Sequence, residues 1–409
     1  MNKVAIITAG TLPVPSVKGG AVENLVENLI KENEKKTKIN MIVYSIFNKE
    51  ALKESKKYKY TSFRFIKAPF IVKTIDLLIY FFFIKLLRKK KAMSYRYIFS
   101  RIYYIILVSF YLHKNSYKKI VLENHATLFI CLRLFNNYKK YHNRYLYHAH
   151  NEISGTYGCL DIIRNTPIIV GVSTYVINRL KQQVNGFSSK TKFYVLKNKI
   201  NRDKFFSAIN KEFEKNLREK LGLNNTRIVL FAGRMNKEKG IDILIRAWNR
   251  LSLTNATLLI VGSYYFNSNL KNDNYQLELD ALLRKGDNIK FTGYINYKDM
   301  PSVYDMADLV VLPSIWDDPA PLTVIEALTM GKPLITTYSG GISEYATSKN
   351  SILLKRNSLI VENLAKSIKK VIENDELRNK LGNTAFKDTK NWTLKSYYNN
   401  FMSILKKLD

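Results

Sequence analysis

Residues 227–248 read RIVLFAGRMNKEKGIDILIRAW. The run RIVLFAG (227–233) has the length and apolar character of a strand buried on both faces, and a helical segment follows over 239–251. A buried strand, a polar turn and a helix form the repeating unit of a parallel α/β sheet. The unit recurs downstream with strands ATLLIVG (256–262), NIKFTGY (288–294), DLVVLPS (308–314) and PLITTY (333–338), and helices at 276–285, 322–330, 358–374 and 391–408. The first half alternates the same way through VAIITA (4–9), MIVYSI (41–46), KIVLEN (119–124), RYLYHAH (144–150) and PIIVGVS (167–173). After the first strand, Ala21, Val22, Leu25, Val26, Leu29 and Ile30 recur at helical spacing behind Gly19-Gly20. The expected fold class is therefore α/β: two Rossmann-like, doubly wound parallel-sheet domains facing each other across a cleft.

The 409 residues suit two domains. The expected division is 1–200, 201–390 and a last helix at 391–409 packing back on the first domain, with the polar stretch NKINRDKFFSAINKEFEKN (198–216) as hinge. No short tandem repeat interrupts this order. Two cysteines, Cys131 and Cys159, match no metal spacing and form no framework of bridges, so a reducing compartment is expected. MNKVAIITAG reads as a first strand and is too short for a signal peptide, which points to the cytoplasm.

The net charge of +33 is unevenly placed. Residues 1–200 hold 35 Lys and Arg against 10 Asp and Glu, a balance of +25 that leaves +8 for the remainder. That asymmetry predicts an anionic partner for the first half. Two apolar segments lie there, APFIVKTIDLLIYFFFIKLL (68–87) and IYYIILVSFYL (102–112), separated by LRKKKAMSYRYIFSR. Lys73, Asp76 and Lys85 inside the first, and the shortness of the second, argue against membrane spans. They read either as core helices or as a basic, aromatic face on an anionic membrane surface.

Arg234 and Lys239 lie between a strand's carboxyl end and the next helix, where ligands of open α/β sheets bind, and two cations there suit a diphosphate. A solvated charge pair is the alternative. PSIWDDPAPLTVIEALTMGKPLITTYSGGISEY (313–345) adds a second cluster. Pro321 suits the first position of a helix, leaving the amides of Leu322 and Thr323 for a phosphate oxygen with the helix dipole behind them. Asp318 before that helix and Glu326 within it can accept hydroxyl hydrogens from a sugar and a ribose; otherwise Asp318 caps the helix and Glu326 pairs with a lysine.

With these motifs the chain resembles, over nearly its whole length, the retaining glycosyltransferases of family four, which have the two-Rossmann-domain B-type fold. Their two glutamates separated by seven residues correspond to Asp318 and Glu326, the first shortened by a methylene. LTMGKPLITTYSGGISEY follows the family pattern with Gly340, Gly341 and Glu344 in register. The resemblance implies that Gly19 and Gly20 let the backbone approach the donor, and that His150 of HAHN (148–151), with Asn151 beside it, faces the donor sugar. His125 and His148 are weaker candidates. Tyr294, after FTG, is placed by the same resemblance where the backbone reads the nucleobase. Ala320 and Pro321 replace the familiar residues before the helix, and Lys197 and Lys199 stand where proline and glycine are common.

Resemblance implies a hexosyltransferase that moves a sugar, with retention, from a nucleotide-sugar, UDP-linked foremost, to a saccharide or polyprenyl-diphosphate-linked acceptor in bacterial surface polysaccharide assembly. The enzyme would be peripheral on the inner face of the plasma membrane. Arg234, Lys239 and the 322–323 amides would stabilise the leaving diphosphate. No Asp-x-Asp segment stands at a strand end, so neither a metal nor a cofactor is expected. Three competing readings are a basic nucleic-acid-binding protein, a dinucleotide-dependent oxidoreductase and a catalytically inactive sugar-binding relative. The first lacks a recognised nucleic-acid module, so no nucleic-acid partner is expected. The second lacks the G-x-G-x-x-G fingerprint, since TAGTLPVPSVKGG has the wrong spacing.

Overall fold

A computed structural model describes residues 3–82, 97–262, 274–284 and 288–408. The chain divides into two compact units, Met1–Lys197 with Tyr397–Asp409, and Asn198–Ser396.

In the first unit, strands β1 (Lys3–Ile7), β2 (Asn40–Ile46), β3 (Thr61–Ile66), β4 (Lys119–Glu123), β5 (Tyr145–Ala149), β6 (Ile168–Gly171) and β7 (Lys192–Val195) make one parallel sheet among the described residues, in the order β3-β2-β1-β4-β5-β6-β7. The order reverses between β1 and β4, the switch point where ligands of such sheets bind. Strands β3 and β7 were not among the sequence-based expectations. Both are edge strands with half-exposed residues, so neither carries the continuous apolar run of a central strand.

The helix Ala21–Lys36 puts Leu25, Val26, Leu29 and Ile30 on the sheet. The C-terminal helix Leu394–Lys406 lies in the same core: Tyr398, Phe401 and Leu405 pack among Val4, Val43 and Val121. The Tyr398 hydroxyl donates to Asn33 Oδ1 at 2.7 Å, and Lys119 Nζ to the carbonyl of Leu405 at 2.8 Å.

The two apolar segments become the helices Phe70–Phe81 and Ile98–Lys114; residues 83–96, with most of the basic stretch between them, fall outside the described residues. Among the described residues no helix is long and apolar enough to cross a membrane. Asp76, one of the charges inside the first segment, is buried and caps the second helix, accepting from the amides of Phe99 at 2.8 Å and Ser100 at 2.9 Å. The helices differ in burial. Tyr104, Ile105, Val108 and Leu112 of the second are buried, whereas Asp76 is the one fully buried side chain of the first.

The second unit repeats the plan with β8 (Arg227–Ala232), β9 (Ala256–Val261), β10 (Ile289–Gly293), β11 (Leu309–Leu312), β12 (Leu334–Thr337) and β13 (Ser351–Leu354), parallel throughout, in the order β10-β9-β8-β11-β12-β13. Its switch point lies between β8 and β11. Most of the stretch read as a hinge is helical, with helices Arg202–Ser207 and Lys211–Leu221. Asn201 and Asn210, which look like linker residues, accept from the amides of Lys204 and Phe213 as helix caps.

Candidate functional site

Glycines bring the loops after β8 and β11 together. A Cβ on Gly240 (φ 68°) would lie 2.0 Å from the carbonyl oxygen of Pro313, so only glycine permits this approach. Ser314 Oγ and the Ile315 amide both donate to the Glu238 carbonyl, at 3.1 and 3.0 Å. Locked there, Lys239 donates from its ammonium to the Asp318 carboxylate, and both side chains are largely buried. A third loop, after β12, supports Asp318. Gly341 N donates to its carbonyl at 2.8 Å, Gly340 N to Asp317 Oδ1 at 3.0 Å, and Arg356 pairs with Asp317 at 2.6 Å.

Pro321 is the residue before the helix Leu322–Thr329 rather than its first turn, a shift of one position from the expectation. Its carbonyl already accepts from Val324 and Ile325, at 3.2 and 3.3 Å. Leu322 and Thr323 therefore supply the first helical amides, which have no intrahelical partner. No side chain caps this helix, so Asp318 is tied to Lys239 instead. Glu326 pairs with tyrosine rather than lysine: it is buried, and its Oε2 accepts from the Tyr304 hydroxyl at 2.9 Å. Burial pushes its carboxyl above the ordinary range, and hydrogen bonds from Tyr304 and Tyr297 offset this only in part. Arg234 is half exposed, 3.9 Å from Glu238, and Tyr294 is an exposed ring directly after β10.

In the first unit, Gly19 (φ 75°) and Gly20 (φ 101°) lead into the helix Ala21–Lys36. A Cβ on Gly20 would lie 2.2 Å from Glu23 Oε2, so the glycine makes room for that buried carboxylate. Burial, with the charge of Glu123 adding to it, pushes the Glu23 carboxyl up to about 7. At the end of β4, Glu123 is fully buried; its Oε2 lies 3.0 Å from His150 Nε2, with which it hydrogen-bonds, and 3.0 Å from His148 Nδ1. Burial works against the charge of Glu123, yet the two imidazoles hold its carboxyl below the ordinary range, while burial pushes His150 down to about 4. Asn151 is exposed, 3.4 Å from the Asn124 side chain, and His125 receives the Thr127 amide at 3.3 Å.

The structure thus joins Lys239 to Asp318 and sets the helix amides after them in the chain, while Arg234 lies near Glu238 and Glu326 turns to Tyr304. Sequence reasoning missed Glu23 and Glu123. Glu123 had a detectable signal: an acid closing one strand opposite a His-x-His on the next.

Residues 213–388 match the model of the glycosyl transferases group 1 family. The putatively named glycosyltransferase YtcC of Bacillus subtilis (strain 168) is 32% identical over 183 residues, 44% of each chain. Spore coat protein SA of the same organism is 27% identical over 268 residues, 63% of this chain and 70% of that protein. The match thus spans less than half the length of YtcC. Among solved structures, HepE of Anabaena in complex with UDP superposes with a TM-score of 0.72 over the full length of both chains at 17% identity. Residues 213–388 are therefore similar to the glycosyl transferases of group 1, within a chain that shares the fold of HepE, two parallel Rossmann-like sheets.

Proposed function

We propose that this chain is a retaining glycosyltransferase that transfers a hexosyl group from a nucleoside-diphosphate sugar, UDP-linked foremost, to a saccharide or polyprenyl-diphosphate-linked saccharide of a cell-surface polysaccharide. The observation that carries it is Lys239, held by Asp318 at the switch edge of the second sheet beside the amides that open the helix Leu322–Thr329. Bond cleavage at the anomeric carbon loads negative charge onto the leaving diphosphate. A fixed ammonium, the Arg234 guanidinium and a helix N-terminus are preorganised donors for that charge. These groups supply what a metal would supply at the diphosphate. The UDP named in the HepE structure supports the nucleotide.

Asp318 is assigned to sugar hydroxyls, Glu326 to the ribose, Tyr294 to the base, Gly19 and Gly20 to close backbone approach, and His150 to the sugar through the ring nitrogen not bound to Glu123. The acceptor reading rests on the first unit's exposed apolar face. Phe70, Ile71 and Leu78 on one helix, and Phe99, Ile102, Ile106 and Phe110 on the next, are all exposed. The latter four recur every three or four residues, a continuous stripe on a strongly basic domain. Such a face suits peripheral binding to the anionic inner leaflet, where a lipid-linked acceptor would be met.

The test is a panel of UDP-, GDP- and dTDP-sugars without added metal, following nucleoside diphosphate release. Release from one donor that disappears in Arg234→Ala/Lys239→Ala supports the reading and names the nucleotide. Absence of release and of binding with every donor overturns it.

A further inference from the structure

Strands β4 and β5 pair in register with Glu123 opposite His148. Side chains two residues apart share a face of a strand, so an acid ending β4 and a His-x-His closing β5 bring three metal-ligand side chains together. In the structure Glu123, His148 and His150 gather so closely that one ligand atom from each lies within 4.8 Å of the others. The two imidazole rings are 4.1 Å apart, centroid to centroid.

Hydrogen bonding accounts for only part of this cluster. One bond, His150 Nε2 to Glu123 Oε2, is formed. Glu123 Oε1 and both ring nitrogens of His148 are buried without a hydrogen-bond partner among the described residues. Polar groups sealed from water are normally paired, and a fully buried carboxylate needs a counter-charge.

We propose that Glu123, His148 and His150 bind a divalent transition-metal ion, zinc foremost. Two imidazoles and a carboxylate form an established zinc ligand set. The 3.0 Å separations from Glu123 Oε2 to each histidine nitrogen are close to the edge of about 3.3 Å that zinc–nitrogen bonds of about 2.0 Å give a tetrahedron. The ion takes up the orphaned His148 nitrogen, neutralises Glu123 and fixes the ring of His150 through Nε2, leaving Nδ1 for other contacts. It belongs to the first sheet and takes no part in holding the diphosphate. Its role is to position His150 and to join the ends of β4 and β5.

Metal analysis of the full chain, expressed with zinc and gel-filtered without chelator, is expected to find about one transition-metal ion per protein, lost in His148→Ala and in Glu123→Gln. As those variants can lose metal by misfolding, circular dichroism is recorded on each. The wild type is also stripped with chelator and melted with zinc or magnesium. Zinc is expected to raise Tm by several degrees where magnesium does not, and cobalt in its place to give the visible absorption of a tetrahedral site. A wild type that carries no ion and melts alike with zinc and magnesium overturns the proposal, as does ion content unchanged in both folded variants. None of these readouts involves a sugar donor, so the outcome is independent of the transferase reading.

Discussion

The ammonium of Lys239 and the carboxylate of Asp318 meet across the loops that follow β8 and β11, 79 residues apart in the chain and both largely withdrawn from solvent. Two of the residues singled out in the sequence, one from each cluster, meet in this pair. Asp318 keeps Lys239 in place, and the carbonyl of Asp318 is in turn held by Gly341.

Stability and turnover should separate at this pair. Lys239→Ala strands a largely buried carboxylate, for which a cost of about 3 kcal/mol is expected, and removes nucleoside diphosphate release. Lys239→Ala/Asp318→Asn removes both charges and should recover most of the lost Tm without recovering turnover. Thermal melts beside a release assay check both arms.

Gly340 has φ 52°, and a Cβ there would lie 2.4 Å from the carbonyl oxygen of Asp318. Gly340→Ala should therefore displace the Asp318 loop, lowering Tm and donor affinity together; a control at Gly222, where a Cβ meets nothing within 4 Å, should leave donor affinity unchanged. Isothermal titration with the accepted nucleotide measures it.

Glu326 titrates above its ordinary value of 4.5 because it is buried. The folded state then holds this proton more tightly than the unfolded chain does. Its contribution to stability is present below about 4.5 and is lost as pH rises through the raised folded value. Wild-type Tm should accordingly fall relative to that of Glu326→Gln as pH rises from 4.5 toward neutrality. Parallel melts across that range would show it, and parallel curves would contradict the assigned burial.

Phe70 (83% exposed), Ile71 (71%) and Leu78 (64%) are well placed to meet a lipid surface. Replacing all three by serine should abolish sedimentation with phosphatidylglycerol vesicles while leaving Tm unchanged, because these side chains bury little in the fold. Wild-type binding should weaken as salt rises and be slight on neutral vesicles.

Phe401, 2% exposed, packs on the first sheet. Phe401→Ala should cost about 3–5 kcal/mol, measured by urea unfolding, despite lying eight residues from the last residue of the chain.

The sequence by itself determined the central strands of the two sheets. Central parallel strands are buried on both faces, so RIVLFA, ATLLIV and KIVLE carry an uninterrupted apolar run that no loop would, and the helices that cover them keep a clear apolar face. It also put Arg234, Lys239, Asp318 and the 322–323 amides at strand ends, because a motif's place in a strand–loop–helix unit is local. Tertiary structure alone decided the pairings. Edge strands β3, β7 and β13, the last likewise unanticipated, need a neighbour to be recognised, since short runs with partly exposed residues have no distinctive pattern. That Asp318 takes Lys239, that Glu326 turns to Tyr304, that Asp76 caps a helix from inside an apolar run, and that Glu123 meets two histidines depends on which strand lies beside which. Hydrogen bonds and ion pairs between residues distant in the chain are fixed by sheet order and register, and no local spacing encodes them.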